Sequence, residues 1–239
     1  MKVGTDGILL GAWAPLPDSG TPLPWRVVDV GTGTGLLALM LAQRLSAQGR
    51  QPMFQIDALE PEPAAAQQAH ENVQRSPWSN AIHVHRLALQ EAVLRRPLLL
   101  ADALWVSNPP FFESEQFVSP DPARARARHE SPDFCAQLFQ QAGRYLHETG
   151  QLAVILPLER ESDYAAQAQI QGFMLHQRCT VRHSAEHPIK RVLLCWGRRY
   201  RSLKQEELCL KTRDDQGLWQ DSAAYTAYVN AFYLRFAQR

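Results

Sequence analysis

The sequence predicts an α/β fold with a mostly parallel, doubly wound sheet that carries helices on both faces. From residue 25 to residue 172, short β-branched runs alternate with longer segments rich in Ala, Leu and Gln, a pattern typical of repeated β-α units. A Gly-rich turn at 31–35 joins the first strand to the first helix of this series. Two final β-branched runs have no helical segment between them and predict an antiparallel hairpin near the C-terminal end.

The same periodicities place the individual elements. Seven strands are expected, at 26–30, 54–59, 81–87, 103–106, 151–156, 174–182 and 190–196. Helices are expected at 36–47, 61–74, 133–147 and 161–172, and prolines at the start of the second suit a first helical turn. Residues 1–24, which contain four prolines, are expected to form an irregular lead-in to a single domain at 25–239. The Pro-containing segment 112–132 predicts a long functional loop.

Composition excludes several classes of protein. With 239 residues, 45% hydrophobic and 21% charged, the chain has globular composition, which excludes a disordered, collagenous or coiled-coil protein. The formal net charge of +1 gives no global argument for binding nucleic acid or membrane. The four cysteines form no C-x-x-C pair, so we expect no metal site. Apolar runs are too short for a signal sequence or a membrane span, so we expect a soluble, cytoplasmic protein.

An acid and three glycines mark the first candidate binding site. Asp29 lies in the first strand, and the turn after it has the spacing G-x-G-x-G, with glycines at Gly31, Gly33 and Gly35. Such glycines allow a tight turn and the close approach of a ligand. A dinucleotide fingerprint needs G-x-G-x-x-G, but Leu36 occupies the later position. The pattern resembles the first motif of class I S-adenosylmethionine-dependent methyltransferases, and an NAD site or a purely structural turn remains the alternative. Glu60, after the second strand, is then expected to accept hydrogen bonds from two ribose hydroxyls.

A second motif follows the fourth strand, at the edge where open α/β sheets bind ligands. It consists of Asn108, Pro109, Pro110 and Phe111. The Asn108 side-chain oxygen and the Pro109 carbonyl are placed to accept both hydrogens of a planar amino group, and Phe111 offers a face on which a base can stack. The motif is similar to that of methyltransferases acting on amino or amide nitrogens. Its structural alternative is a rigid turn that ends the strand.

Two basic clusters predict contacts with phosphate groups. Residues 178–204 carry eight Lys or Arg and one acid, and among them we expect Lys190 and Arg191 to contact phosphates, which the resemblance described below implies are those of RNA. The long loop contributes a second cluster, made of Arg124, Arg126 and Arg128. An ordinary solvated surface is the alternative for both clusters.

The opening segment 2–15, K-V-G-T-D-G-I-L-L-G-A-W-A-P, resembles the signature of the bacterial tRNA (adenine-N6)-methyltransferase family, which modifies adenine 37 of a valine tRNA. Segments across nearly the whole chain are similar too, at 35–44, 76–78, 108–111, 191–194 and 227–234. The resemblance implies a Rossmann-like class I methyltransferase fold, S-adenosyl-L-methionine as cofactor and a tRNA substrate. We also expect a monomer that needs neither metal nor membrane.

The resemblance also implies roles for the residues at positions that match the family's motifs. Thr5 and Asp6 would line the methionine end of the cofactor, so the N-terminal lead-in would contribute to the site, and Asn108 would contact both cofactor and target adenine. The family usually has an Asp where this chain has Ala88, so Gln90 or a backbone carbonyl is expected to bind the cofactor adenine instead. Family members also carry a short segment before the opening signature, so either the true start lies upstream or the cofactor lid is incomplete.

Other functions stay open at this point. A protein-glutamine methyltransferase of the release-factor type uses the same Asn-Pro-Pro-aromatic motif on a side-chain amide. A DNA adenine methyltransferase is disfavoured because no target-recognition domain fits in 239 residues. A catalytically silent RNA-binding module with the same fold is the third alternative, against which the intact motif at Asn108 argues.

Overall fold

The main sheet is the framework of the molecule. The computed structural model describes residues 4–16, 24–48, 54–95, 103–109 and 134–232. The sheet consists of β1 (Trp25–Val30), β2 (Phe54–Leu59), β3 (Ile82–His85), β4 (Ala103–Ser107), β5 (Gln151–Pro157), β6 (Met174–Arg182), β7 (Ile189–Gly197) and β8 (Lys204–Cys209). Their order is β3-β2-β1-β4-β5-β7-β6-β8, and β7 runs antiparallel to both its neighbours. The predicted α/β class, with its antiparallel C-terminal hairpin β6–β7, is therefore confirmed.

The strand count is where the structure departs from the predicted seven. The additional strand, β8, lies parallel to β6 at the edge of the sheet. Its first four residues are exposed and Leu208 is buried, so its sequence K-Q-E-E-L-C lacks the apolar alternation that marks a strand. An edge position, open to solvent, allows a strand to be this polar.

Helices cover both faces of the sheet, as predicted. They are α1 (Thr5–Trp13), α2 (Leu36–Ala47), α3 (Pro63–Gln74), α4 (Leu89–Arg95), α5 (Phe134–Tyr145), α6 (Glu161–Ile170) and α7 (Ala223–Val229). Apolar side chains of α1, α2 and α7 pack with Val27 and Ile56 on one face, and those of α4, α5 and α6 pack with Val28 and Trp105 on the other. A small separate hairpin, β9 (Lys211–Arg213) with β10 (Trp219–Asp221), lies between β8 and α7 in the chain.

Strand direction decides which residues meet at the carboxyl edge of the sheet. β1, β2, β4 and β5 are parallel, so the segments that follow them share this edge. Because β7 is antiparallel and pairs Arg191 with Pro157, it begins at the same edge. Its last residue, Gly197, pairs with Gln151, so residues 198–201 lie at the opposite edge. The predicted basic cluster is thus divided between two edges.

The N-terminal segment is not the irregular lead-in that its sequence predicts. Residues 5–13 form helix α1, which buries Leu9, Leu10 and Trp13. The four prolines that predicted irregular structure lie at 15–24, after the end of this helix. Two glycines, Gly7 and Gly11, also lower the helix propensity of residues 5–13. A Cβ added to one of them, Gly11, would lie 2.7 Å from Met40 Sδ of α2, so the glycine permits a close helix–helix contact. Tertiary packing therefore outweighs local propensity here.

Arg44 fixes the end of α1 against α2. Its guanidinium Nη1 donates hydrogen bonds to the carbonyls of Gly11, at 2.9 Å, and Ala14, at 2.7 Å. Both carbonyls lie in the last turn and C-cap of α1, where helical carbonyls lack partners within the helix. A cation at this helix end also complements the helix dipole. Arg44 therefore holds α1 in the position from which the helix reaches the candidate site.

Candidate active site

A glycine loop connects β1 to α2 at the carboxyl edge. Gly31, Gly33 and Gly35 all have positive φ, at 75°, 59° and 85°. The amides of Gly31 and Thr32 both donate to the Leu59 carbonyl at 2.9 Å, which fixes the loop against the end of β2. A Cβ added to Gly31 would meet nothing within 4 Å, so the loop has open space beside it. The loop is therefore firmly held on one side and accessible to a ligand on the other.

Asp29 lies buried beneath this loop. Its Oδ2 accepts hydrogen bonds from Thr32 Oγ1 at 2.5 Å and from the Ala38 amide at 3.2 Å. Its buried Oδ1 has no hydrogen-bond partner among the described residues. Burial away from water raises the pKa of this carboxyl from an ordinary 3.8 to about 7. The carboxyl thus retains one acceptor atom for a further donor.

Titration of Asp29 predicts a specific dependence of stability on pH. Between pH 4 and pH 7 the native carboxyl holds a proton that the unfolded chain has lost, so the free energy of unfolding decreases as pH rises, by up to about 4 kcal/mol. Asp29→Asn removes this contribution. We expect the variant to exceed the wild type in stability by a few kcal/mol at about pH 8, and the difference to shrink towards pH 4. Urea unfolding across this range measures it; the same pH dependence in both proteins would contradict the assignment.

Glu60 stands after β2 with both carboxylate oxygens turned to backbone donors. Oε2 accepts from the Gly33 amide and Oε1 from the Glu62 amide, each at 2.9 Å. Burial raises the pKa of Glu60 above its usual range, and these backbone hydrogen bonds oppose the shift. Since a carboxylate has about four acceptor positions, each oxygen can accept one more hydrogen bond. Two neighbouring hydroxyls are the donors that such a pair of oxygens suits.

Asn108 follows β4 beside the start of the glycine loop. The preceding Ser107 donates its hydroxyl to the Val30 carbonyl at 2.8 Å, which ties the two segments together. Pro109 is buried and Asn108 half-buried. A Cβ on Gly7 of α1 would lie 3.8 Å from Asn108 Nδ2, so the start of α1 approaches the motif closely. Pro110 and Phe111 lie outside the described residues.

Thr5 and Asp6, the first residues of α1, line a cleft of about 360 Å³. Lys190 and Arg191 at the start of β7 line the same cleft. Asp6 Oδ2 accepts a hydrogen bond from Arg191 Nε at 2.9 Å, and both side chains are partly exposed. The structure thereby joins a predicted cofactor residue to a predicted RNA residue. Arg191 fixes α1 to the sheet through this ion pair, a role that the basic cluster alone did not suggest.

Gln90 lies on α4, and its side-chain nitrogen donates to Gln137 Oε1 on α5. The nearby Ala88 carbonyl accepts from the Ala92 amide at 3.0 Å and so belongs to the first turn of α4. Both expected substitutes for the usual Asp, Gln90 and a backbone carbonyl, therefore stay predictions. The remaining predicted site residues, Arg124, Arg126 and Arg128, lie outside the described residues.

His85 has a structural part at this site that the sequence analysis did not identify. Its Nε2 forms a 2.6 Å hydrogen bond with Oδ1 of Asp57, a buried carboxyl on β2. The His85 carbonyl accepts from the Glu60 amide at 3.0 Å. The His85–Asp57 pair therefore holds the end of β3 to which the Glu60 amide is hydrogen-bonded. An acid between the apolar residues Ile56 and Ala58 of β2 was the signal in the sequence that a buried partner exists.

Comparison with known proteins identifies the family. A model of the methyltransferase small domain matches residues 16–173. A tRNA1(Val) (adenine(37)-N6)-methyltransferase of Tolumonas auensis is 38% identical over 237 residues, which cover 99% of this chain and 92% of the relative. The chain belongs to the tRNA1(Val) (adenine(37)-N6)-methyltransferase family. A Yersinia pestis protein of the same name is 36% identical over 236 residues, covering 99% of this chain and 88% of the relative. The resemblance found in the sequence is thereby confirmed.

Solved structures agree with this family assignment at the level of the fold. A protein described as a predicted O-methyltransferase from Agrobacterium tumefaciens matches with a TM-score of 0.65 and 13% identity, covering 95% of this chain and 96% of that one. The N-terminal domain of human METTL16, solved in complex with SAH, matches with a TM-score of 0.51 and 17% identity, covering 80% and 66%. These matches show that this member of the tRNA1(Val) methyltransferase family has the Rossmann-like methyltransferase fold.

S-adenosylmethionine is the cofactor of this class of methyltransferases, and the carboxyl edge of this family member fits it. Open space beside Gly31, the unpaired Oδ1 of Asp29 and the two remaining acceptor positions of Glu60 suit a ligand with amino and hydroxyl donors. Within the described ranges, no group of three or more His, Cys, Asp or Glu side chains is placed to hold a metal ion. No helix in the described part of the chain is long and apolar enough to cross a bilayer.

Proposed function

We propose that this protein transfers a methyl group from S-adenosylmethionine to the N6 amine of adenine 37 in a valine tRNA, the reaction for which its relatives are named. The observation that carries the proposal is the position of Asn108-Pro109, at the end of β4 and tied through Ser107 to the start of the glycine loop. This position places acceptors for an amino group beside the loop that suits the cofactor. Family membership specifies the amine as that of a tRNA adenine.

The cofactor would be held by residues of four segments: the end of β1, the end of β2, the start of α1 and helix α4. Glu60 would accept hydrogen bonds from its two ribose hydroxyls, and Asp29 would accept through Oδ1. Thr5 and Asp6 would lie at its methionine end, and Gln90 Oε1 would be available to its adenine amine. When bound, S-adenosylmethionine supplies an electrophilic methyl group on a sulfonium centre. The open space beside Gly31 would leave room for the cofactor to approach the backbone of the loop.

The chain's own contribution to the chemistry is orientation. Asn108 Oδ1 and the Pro109 carbonyl would accept the two amino hydrogens of the adenine, which directs the nitrogen lone pair out of the plane of the base. The amine becomes acidic only as it acquires positive charge, so these residues need to hold its hydrogens and not to remove one beforehand. Catalysis then depends on placement and on fixed dipoles. Phe111 is proposed to stack on the base.

Methyl transfer from labelled S-adenosylmethionine tests this function directly. Three acceptors are offered in parallel: unmodified valine tRNA, the same tRNA with adenine 37 replaced by guanine, and a release factor. We expect label only on the unaltered tRNA. Label on the release factor would instead show the glutamine-modifying reaction, and equal label on both tRNAs would show that another base is the target.

The finer assignments belong to the same proposal. Lys190 is exposed at the start of β7 and is proposed to contact the RNA backbone, together with Arg124, Arg126 and Arg128 of segment 112–132, which lies outside the described residues. We also propose that the protein acts as a monomer in the cytoplasm, since one chain supplies all the proposed site residues. Light scattering of the purified protein with and without tRNA measures the oligomeric state.

A further inference from the structure

A cluster of flat side chains lies beyond the end of β6. The rings of His183 and His187, in the turn between β6 and β7, pack edge to face at 5.0 Å between centroids. Trp219 of β10 lies 6.0 Å from the first ring and 6.3 Å from the second. The Arg213 guanidinium lies over the Trp219 ring, 4.1 Å from its centroid. These four residues are called the aromatic platform below.

The aromatic platform is held firmly and yet remains open to solvent. The His187 ring is hydrogen-bonded to Ser184 Oγ at 2.8 Å, and Arg213 donates to the Gly217 carbonyl at 3.0 Å. Trp219 nevertheless keeps 41% of its surface exposed, and in the described part of the chain it belongs to neither hydrophobic core. A large aromatic ring that is fixed but not buried loses little conformational entropy when a ligand packs against it. This combination suits a binding surface better than a packing role.

Its position relates the aromatic platform to the active site. His183 directly follows β6, which ends at the carboxyl edge. The cleft that Thr5 and Asp6 line extends to His183, with Arg182 and Lys190 along its wall. The start of α1 is also the segment that approaches Asn108. In the sheet order, three inter-strand spacings separate β4 from β6, which corresponds to a lateral distance of about 14 Å.

We propose that the aromatic platform stacks an unpaired nucleobase of the RNA whose target adenine lies at Asn108. This inference rests on the proposed function, because it takes the substrate to be RNA. Single-stranded bases are recognised by stacking on aromatic rings and on planar guanidinium groups, and the aromatic platform offers both. Lys190, which forms no ion pair with a described residue, lies on β7, which the sheet order places between β4, the strand before Asn108, and β6, the strand before His183. Its charge complements that of an RNA phosphate.

Substitution of Trp219 by Ala tests the proposal, with Trp219→Phe as the variant that keeps a stacking ring. The matched control is Tyr200→Ala, which removes an aromatic side chain that is 83% exposed and follows Arg199 at the opposite edge of the sheet. For valine tRNA we expect Trp219→Ala to raise both Kd and KM roughly 5- to 30-fold, with kcat and the Kd of S-adenosylmethionine unchanged. Trp219→Phe should recover most of the affinity, and Tyr200→Ala should match the wild type.

Salt dependence separates stacking from phosphate contact. Trp219→Ala should leave the slope of log Kd against log salt unchanged, whereas Lys190→Ala should reduce it by roughly one. A reduced slope in Trp219→Ala would assign its effect to lost charge and overturn the stacking proposal. If Trp219→Phe does not recover RNA affinity, or if Trp219→Ala also loses affinity for S-adenosylmethionine, the ring has a structural role. Either result would overturn the stacking proposal too.

The outcomes also separate this inference from the function on which it rests. If the wild type methylates valine tRNA and Trp219→Ala has the same Kd and KM, the aromatic platform proposal alone fails. If the wild type neither binds nor methylates RNA, both proposals fail. If Trp219→Ala instead weakens modification of the release factor, the surface receives a protein, and the nucleobase assignment is overturned.

Discussion

Asn108→Ala is expected to lower kcat by about 100- to 1,000-fold, the range seen when one preorganised polar contact to a reacting group is removed. The side-chain oxygen is proposed to hold one amino hydrogen of the adenine, and alanine offers no acceptor. Cofactor binding should change little, because the ribose and the loop are held by Glu60 and the glycine segment. Single-turnover methyl transfer gives the rate of the chemical step, and calorimetry gives the Kd of S-adenosylmethionine.

Asn108→Asp is the matched variant for this position. It keeps an acceptor oxygen at the same place, so we expect it to retain far more activity than Asn108→Ala. Gly7, which lies against the Asn108 amide, leaves the isosteric side chain room. Equal losses of turnover and of cofactor affinity in Asn108→Ala would contradict the positioning role and indicate a disturbed cofactor site.

The fold was predictable because its strands and helices carry strong local patterns. β2 and β6 have the bounds predicted, and α2 occupies residues 36–47 as predicted. In these segments most of the apolar residues lie in the core, so the pattern of apolar residues in the sequence already indicates the burial that stabilises them. β8 was missed because four of its residues are exposed, and pairing with β6 creates a strand that its own side chains do not signal.

Helix α1 shows what local propensity omits. Gly7 and Gly11 disfavour a helix in an isolated segment, but each faces a neighbour too close for a larger side chain. Arg44, thirty-three positions after Gly11, completes the helix end. Such contacts depend on the arrangement of distant segments, which the sequence does not display. The family resemblance placed Thr5 and Asp6 near the cofactor, and the structure adds the helix and the ion pair to Arg191 that hold them.

The basic cluster of residues 178–204 shows how neighbours in sequence separate in space. Lys190 and Arg198 lie at the two ends of β7, a strand of nine residues that spans about 30 Å. At the far edge Arg198 donates to the Gly143 carbonyl, and Arg199 pairs with Glu148. These arginines are engaged away from the active site. Counting charges in sequence could not distinguish them from Lys190, because only strand direction assigns each to an edge.

The site acids were predicted as ligands, but their environment was not. Burial of Asp29 and Glu60 raises both pKa values, since each carboxyl exchanges water for a few fixed donors. The position of an acid in the sequence does not show whether its side chain is buried. A carboxylate of raised pKa accepts hydrogen bonds well only above that pKa, so cofactor affinity of the wild type should weaken as pH falls through the raised pKa of Glu60.

Glu60→Ala is expected to raise the Kd of S-adenosylmethionine by about 100-fold or more, because two hydrogen bonds to a charged group, each contributing about 1.5–3 kcal/mol, are lost. At saturating cofactor kcat should remain near that of the wild type, and the acid-side loss of affinity should disappear. The control is Glu62→Ala: this neighbouring carboxylate caps α3 through the amides of Ala64 and Ala65, so its loss should lower stability by about 1 kcal/mol and spare cofactor binding. Calorimetry across pH measures both variants. Equal weakening in the two would assign the effect to the fold around β2 and not to the ribose contact.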